Sequence, residues 1–271
     1  ASLQDIGVAE GSQLALVLQP PLLAASAAFD ATAKIWCADS GECLRTLRGH
    51  EAFVCSVAFS PDGRELLTAS HDCTAKLWDA ASGECLRTFQ GHERALCSAA
   101  FAPDGRELIT ASADRTAKLW SAASGECLRT LEGHESTVRS ATFSPDGREL
   151  LTGSWDHTAK LWAAASGECL RTLRGHEGPV LCSAFAPDGR QLLTASGDGT
   201  AKLWSVVSED CLRTFRGHED VVSSAAYAPR GRELLTAPRD CTARLWDAAS
   251  GECLRTLSGH EGAVSAAAFS P

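Results

Sequence analysis

Residues 133–162 read GHESTVRSATFSPDGRELLTGSWDHTAKLW, and five more versions of this stretch occur in the 271-residue chain. The dipeptide Gly-His recurs with its histidine at His50, His92, His134, His176, His218 and His260. The closing tryptophan recurs at Trp36, Trp78, Trp120, Trp162, Trp204 and Trp246, and every step is 42 residues without an insertion or deletion. Self-similarity at one fixed period means one supersecondary unit stacked many times, so the length describes one domain rather than two.

Each regular copy reads as four short strands divided by turn residues. In the copy beginning at Gly49, Val54–Ser60 is the first expected strand, Pro61-Asp62-Gly63 a tight turn, Glu65–Ser70 the second strand and Thr74–Trp78 the third. Ala81-Ser82-Gly83 turns the chain again, and Cys85–Phe89 is the fourth. Glycine accepts positive φ and Asp can bond its own backbone, which these turns require. The strands are rich in Val, Leu, Thr and Phe with little polar alternation, as expected when both faces are packed. A period of about 40–45 residues with Gly-His at one end and Trp-Asp at the other is the signature of a four-stranded propeller blade. On these residues nearly the whole chain resembles the WD-repeat family of β-propellers.

The resemblance implies an all-β fold, a β-propeller of four-stranded antiparallel blades, with six recognisable blades plus one strand of an incomplete seventh. The expected single domain covers 1–271, with blade 1 at about 8–48, blade 2 at 49–90, blade 3 at 91–132, blade 4 at 133–174, blade 5 at 175–216, blade 6 at 217–258 and a partial blade 7 at 259–271. Blade 1 is worn, because LVLQPPLLAASAAFDATAKIW at 16–36 keeps Asp30 and Trp36 but lacks the Asp-Gly turn and the Gly-His. Family rings usually have seven blades and close when an N-terminal strand completes the C-terminal blade, so residues 2–8 are the expected closing strand. The sequence contains no methionine, and the numbered chain is expected to begin inside a longer product and the natural protein to continue past Pro271.

Composition narrows the function. The net charge of −9 disfavours nucleic acid or an anionic membrane as partner, since both attract basic surfaces. The most apolar run, LALVLQPPLLAASAAF at 14–29, is interrupted by Pro20 and Pro21 and lacks a basic lead, which argues against a signal peptide or a membrane span. Among twelve cysteines, Cys43, Cys85, Cys127, Cys169, Cys211 and Cys253 occupy one equivalent position, and no CxxC pair occurs. They are expected to be small buried thiols in a reducing, cytoplasmic setting, with neither metal nor cofactor.

A polar set repeats with the frame. Every copy has an Asp six residues before its Trp (Asp30, Asp72, Asp114, Asp156, Asp198, Asp240) and a hydroxyl four residues before that Asp (Ser26, Thr68, Thr110, Thr152, Thr194, Thr236). Asp, His and a hydroxyl invite comparison with a hydrolase triad, yet catalysis needs one constellation and this one occurs five times complete. The resemblance implies instead a structural tetrad that ties the Asp turn through His and Thr to the Trp ring nitrogen. Two copies deviate: blade 1 has Val8 where the others have His, and blade 6 has Pro238 in its second strand.

Function is sought where the copies differ. The turns PDGRE and SGEC are nearly identical from blade to blade, whereas residues flanking each Asp, and those two to five positions after each His, vary. In the family pattern the variable positions ring one mouth of the central channel. They supply Phe29, His71, Trp155 and Arg239 before the Asp, Arg115 and His157 after it, and Arg139 and Leu181 five residues after the His. Trp and Arg are enriched among binding hot spots, and Trp155 is the one Trp off the repeated position. The resulting expectation is a non-enzymatic scaffold or adaptor that binds other proteins or peptides, with acidic or phosphorylated segments suited to the arginines. Alternatives are a substrate receptor of a ubiquitin ligase, disfavoured by WDAA, WSAA and WAAA where that class often has W-D-x-R, a propeller enzyme, and a sensor domain of a larger signalling protein. No phosphate-cradling motif occurs.

Overall fold

The second strand of each copy is the part of the repeat that commits it to a blade. Glu-Leu-Leu-Thr-Ala-Ser is buried on both faces after its first residue in Glu65–Ser70 and, with Gly153 for the alanine, in Glu149–Ser154, so it must have a strand on each side and a sheet against each face. A computed structural model describes residues 22–264 and 266–269. Among them are one three-stranded and five four-stranded sheets, each with strands in sequence order and antiparallel throughout. The third strand runs Ala75–Asp79 in blade 2, shifted by one residue from the expected Thr74–Trp78, because Thr74 is still engaged in closing the Asp72 turn.

First strands of successive blades (Val54–Phe59, Leu96–Phe101, Val138–Phe143, Val180–Phe185, Val222–Tyr227) pack on one another and surround the axis. Fourth strands form the outer rim. The core lies between blades: Leu67, Leu77 and Phe89 of blade 2 pack with Leu96, Leu108 and Trp120 of blade 3. A repeated arginine clips neighbours together, with Arg45 Nε donating to the Ala81 carbonyl at 2.9 Å and Arg87 Nε to the Ala122 carbonyl at 3.0 Å. Arg129, Arg171 and Arg213 reach Ala165, Val207 and Ser250 in the same way.

One expectation is corrected here. Cys43, Cys85, Cys127, Cys169, Cys211 and Cys253 are exposed, not buried. They open the outermost strand of each blade, where in blades 1 to 5 only the closing Leu or Phe is covered by the next blade. The expected first strand of a seventh blade has no ladder in its described residues, since a first strand pairs only with the second strand of its own blade. It nevertheless starts on the usual path: Ser223 Oγ donates to the Val264 carbonyl at 3.0 Å, as Cys55 Sγ donates to the Leu96 carbonyl at 3.0 Å. Leu257 is 49% exposed, whereas its equivalents Leu47, Phe89, Leu131, Leu173 and Phe215 are 1–2% exposed. The start of blade 1 and the closing strand expected at 2–8 lie outside the described residues.

Blade 6 carries several departures from the repeat. Arg244 stands where the five preceding blades have Lys, and its Nε is buried without a partner, while Lys76 and Lys160 donate to Thr88 and Thr172 at 3.0 and 2.9 Å. Tyr227 stands where blades 2 to 5 have Phe, and its hydroxyl is also buried unpartnered. Because an unsatisfied buried donor costs about 1–3 kcal/mol, Tyr227→Phe is expected to raise stability by an amount in that range. Urea unfolding reads it, and an unchanged or lowered midpoint would show that the hydroxyl is satisfied.

Candidate functional site

Five blades assemble the same polar chain. In blade 4, Trp162 Nε1 donates to Thr152 Oγ1 at 2.9 Å, Thr152 Oγ1 lies 2.8 Å from His134 Nε2, and His134 Nδ1 lies 2.7 Å from Asp156 Oδ2. An indole can only donate and a carboxylate only accept. The Asp end fixes Nδ1–H as the donor to Asp, and the Thr152 hydroxyl, which accepts from Trp162, lies between His134 Nε2 and the Lys160 carbonyl at 3.4 Å. The second Asp oxygen accepts the Thr158 backbone N–H at 2.9 Å and its hydroxyl at 2.6 Å. Blades 2, 3 and 5 repeat the Trp–Thr, Thr–His and His–Asp contacts at 2.7–2.8 Å. The hydroxyl is no nucleophile. Thr68, Thr152, Thr194 and Thr236 have no exposed surface, and each oxygen is already committed to Trp and His.

Electrostatics match this satisfied network. Burial holds His50, His92 and His218 below the ordinary histidine value, against the opposing pull of their Asp partners. For Asp72, Asp114, Asp156 and Asp198 burial works upward, but hydrogen bonds from Thr, His and backbone N–H groups outweigh it and hold the carboxyls below their usual range. In blade 6, His218–Asp240 lengthens to 3.3 Å. The cause is Pro238, which replaces a serine: Ser154 Oγ accepts the Asp156 N–H at 3.1 Å and donates to the Ser136 carbonyl at 3.2 Å, anchoring the turn. Blade 1 retains only Trp36 Nε1 to Ser26 Oγ at 2.9 Å and Asp30 with Thr32 among the described residues.

The variable residues are placed by two backbone devices. In blades 2 to 6 the residue five after the His sits at a β-bulge between first and second strands, as at 138–140 and 180–182, and a bulge re-aims its side chain. Arg139 is thereby directed into the channel, where its Nη1 donates to the Cys97 carbonyl at 3.0 Å. Leu181 is half-buried at the same level. The residue after each Asp is left-handed: Ala31, Cys73, Arg115, His157 and Cys241 have φ of 63–73°, and only blade 5 has glycine there, Gly199 at 76°. A non-glycine residue in this region costs roughly 1–2 kcal/mol, and the Asp–Thr hydrogen bonds hold the turn in place against it. Arg115 and His157 thus project from rigid, strained turns.

The structure separates these residues into groups. Trp155 is 48% exposed and its N–H donates to the Thr137 carbonyl at 2.9 Å. Arg115 borders a polar cleft of about 400 Å³ between blades 3 and 4, with Arg94, Glu93, Glu135 and Thr137. Cation–π contacts among the described residues are Lys34 on Trp36 and Arg244 on Trp246, so Arg139 does not stack on Trp155. On blades 1 and 2, Phe29, 87% exposed, lies 5.0 Å from the Phe53 ring, which lies 3.5 Å from that of His71. Arg239 is exposed on blade 6. Phe53 is the participant that the sequence reading missed. It is the aromatic residue at a position filled by Ala95, Thr137, Pro179, Val221 and Ala263 in other copies, a contrast that would have found it.

Among the described residues, no three His, Cys, Asp or Glu side chains converge to hold a metal ion, and no helix is long and apolar enough to cross a membrane.

A chain of near-identical four-stranded blades, pinned by Trp–Thr–His–Asp, defines a class, and sequence comparison gives it a name. The family described as WD domain, G-beta repeat matches residues 41–79, 83–121, 125–163, 167–205, 209–247 and 251–271, and the chain belongs to that family. The chain is also similar to the nuclear distribution protein PAC1 of Arthroderma benhamiae, at 59% identity over 46 residues, which cover 17% of this chain and 10% of the relative. It is similar to the F-box-like/WD repeat-containing protein TBL1X of Mus musculus, at 49% over 43 residues, covering 16% and 8%. A further PAC1, from Mycosarcoma maydis, is 48% identical over 44 residues, covering 16% and 10%. The matched part is therefore about a tenth of each relative's length.

Proposed function

We propose that this chain is a non-enzymatic protein-interaction scaffold whose partner docks on the mouth carrying the Gly-His and Asp loops, around blades 3 and 4. WD-repeat proteins generally bind other proteins, and the finer assignment rests on one contrast. Trp155 is 48% exposed, while the repeated Trp78, Trp120, Trp162, Trp204 and Trp246 are 1–2% exposed. A large aromatic held on a rigid turn, with Arg115, Arg139 and His157 on the same two blades, is the composition of a binding hot spot. The arginines favour an acidic or phosphorylated segment, to which guanidinium groups give paired, charge-assisted hydrogen bonds.

A peptide array of matched unmodified, acidic and phosphorylated segments tests the preference. The expected result is retention on acidic or phosphorylated spots, reduced about tenfold or more in Arg139→Ala, in line with the loss of a charged hydrogen bond. Equal retention on neutral spots would contradict the proposal.

The name F-box-like belongs to relatives such as TBL1X. As a second reading, a ligase substrate receptor would use the same mouth, with its adaptor contact made elsewhere.

A further inference from the structure

Arg139 carries a charge that the fold leaves without a counter-ion. Its Nη1 donates to the Cys97 carbonyl at 3.0 Å, yet a guanidinium has five N–H groups. None of the others is buried without a partner, so they open onto the channel. The arginines that pair with carboxylates among the described residues are Arg64, Arg106 and Arg148, and Arg139 is not among them. In blades 2 to 6 the residues five after the His are Cys55, Cys97, Arg139, Leu181 and Ser223, and Arg139 alone is charged. A half-buried cation in this state favours an anion from outside.

The surroundings do not supply one. The charge of Arg139 is felt by Cys55 and His71 of blade 2, Cys97 of blade 3 and Cys182 of blade 5. A group felt from three other blades stands near the axis. Burial pushes the Cys55 thiol up to about 12 and raises those of Cys97 and Cys182, so these thiols stay neutral. The carboxylates that act on the same thiols, Asp72 and Asp114, are turned into their tetrads, with side chains 9% exposed. In Asp72, Oδ2 lies 2.7 Å from His50 Nδ1, and Oδ1 accepts the Thr74 N–H and hydroxyl at 2.9 and 2.7 Å. No glutamate of the Gly-His-Glu loops acts on His71, Cys97 or Cys182.

His71 stands where its protonation responds to this charge. It is exposed, its ring lies 3.5 Å from that of Phe53, which also meets Phe29, and its N–H donates to the Phe53 carbonyl at 3.0 Å. Partial burial, then Arg139, hold the imidazole below its ordinary value, and the neighbouring Asp72 and Cys73 do not offset them.

Resting on the reading that this mouth takes acidic segments, we propose that one carboxylate of the partner enters the channel and pairs with Arg139, and that His71 couples its capture to pH. A carboxylate at Arg139 cancels the field that keeps the proton off His71. The complex then binds more protons than its free components, so affinity rises as pH falls below neutral.

Two measurements test it, with melting midpoints of the variants checked beforehand. In the first, the His71 ring is titrated by NMR in the parent and in Arg139→Gln, with His71→Phe assigning the signal. Removing the guanidinium is expected to raise the midpoint of that titration. An unchanged midpoint would overturn the proposal without touching the array result.

In the second, calorimetric titrations with acetyl-GSEEESG-amide are run at pH 8 and pH 6 at one low salt concentration. Beside it are acetyl-GSQQQSG-amide and the acidic peptide with phosphoserine for its central glutamate. Glutamate stays ionised over this range, so a pH effect belongs to the protein. The parent is expected to bind the glutamate peptide about threefold or more tightly at pH 6, since one pKa unit corresponds to tenfold, and to lose about tenfold in Arg139→Gln. The pH dependence is expected to vanish in His71→Phe. Phosphate takes up its own proton near pH 6 and loses charge as His71 gains it, so its pH dependence is expected to be smaller. Equal affinity at the two pH values with loss in Arg139→Gln would leave the acidic reading standing and overturn the coupling. So would a pH dependence that persists in His71→Phe. Binding that survives Arg139→Gln would place the acid elsewhere on the mouth and overturn the channel site. Binding confined to the phosphoserine peptide would make the captured group a phosphate and overturn the carboxylate. Equal binding of the neutral peptide, or no binding up to about 1 mM, would overturn the preference for acidic segments and this proposal with it.

Discussion

Trp162→Ala is expected to lower the unfolding free energy by about 3–5 kcal/mol for the lost ring, and by roughly 1–3 kcal/mol more for partners left unsatisfied. The ring is 1% exposed and belongs to the cluster that joins blade 3 to blade 4, with Leu119, Leu131 and Val138. Removing it opens a cavity between blades rather than at an edge, where collapse could fill it. Its Nε1–H is also the head of the polar chain. Without that donor, Thr152 Oγ1 keeps its bond to His134 but loses the contact that fixes the hydroxyl, inside a site closed to water. A native domain has only about 5–15 kcal/mol in total, so this one change should bring the chain close to unfolding at room temperature. Urea or thermal unfolding measures it, and a midpoint equal to that of the parent would contradict the network's role.

Acid should destabilise the ring in two stages, the second larger than the first. His50, His92 and His218 are held below the ordinary value of 6.5 in the folded chain. The unfolded chain thus binds protons that the folded one refuses. Their contribution is complete above pH 6.5 and is lost as pH falls toward the lowered folded values. The tetrad carboxyls Asp72, Asp114, Asp156, Asp198 and Asp240 are held below 3.8. Their contribution is complete above 3.8 and disappears as pH falls through the folded values. Both terms have the same sign, because in each case the unfolded state takes up protons first. Melting curves at pH 7.5, 5.5 and 3 check the order. A midpoint that holds constant from pH 7.5 to 3 would contradict the buried-network account, and the larger fall should come below pH 4.

The strand order within a blade and the polar chain that pins it were legible because both repeat. A residue that recurs at Trp78, Trp120, Trp162, Trp204 and Trp246 is declared structural by its recurrence. The layer in which a residue lies was less legible. Cys85 and Phe89 belong to one short strand, yet the first is exposed and the second buried, a difference set by where the next blade ends. Residue type alone put the cysteine inside. Side-chain direction was equally hidden. The bulge at Arg139 aims it at the Cys97 carbonyl, and the left-handed turn at His157 carries no sequence mark apart from the glycine at the equivalent Gly199. The Phe29–Phe53–His71 stack joins residues from two copies, and a comparison made one position at a time does not show that they touch. The departures in blade 6, by contrast, could be read directly once copies were aligned: Tyr227, Pro238 and Arg244 each break a rule that the preceding regular blades keep.

We propose that repeated residues hold the ring and non-repeated residues choose its partner. It is tested most directly by comparing the proteins captured by the parent chain and by Trp155→Ala/Arg139→Ala from one lysate, with the stability of both measured alongside. The account predicts that the double variant loses no more than about 1 kcal/mol, for the bond to Cys97, and that captured partners disappear. An unchanged set of partners on an equally stable variant would contradict it.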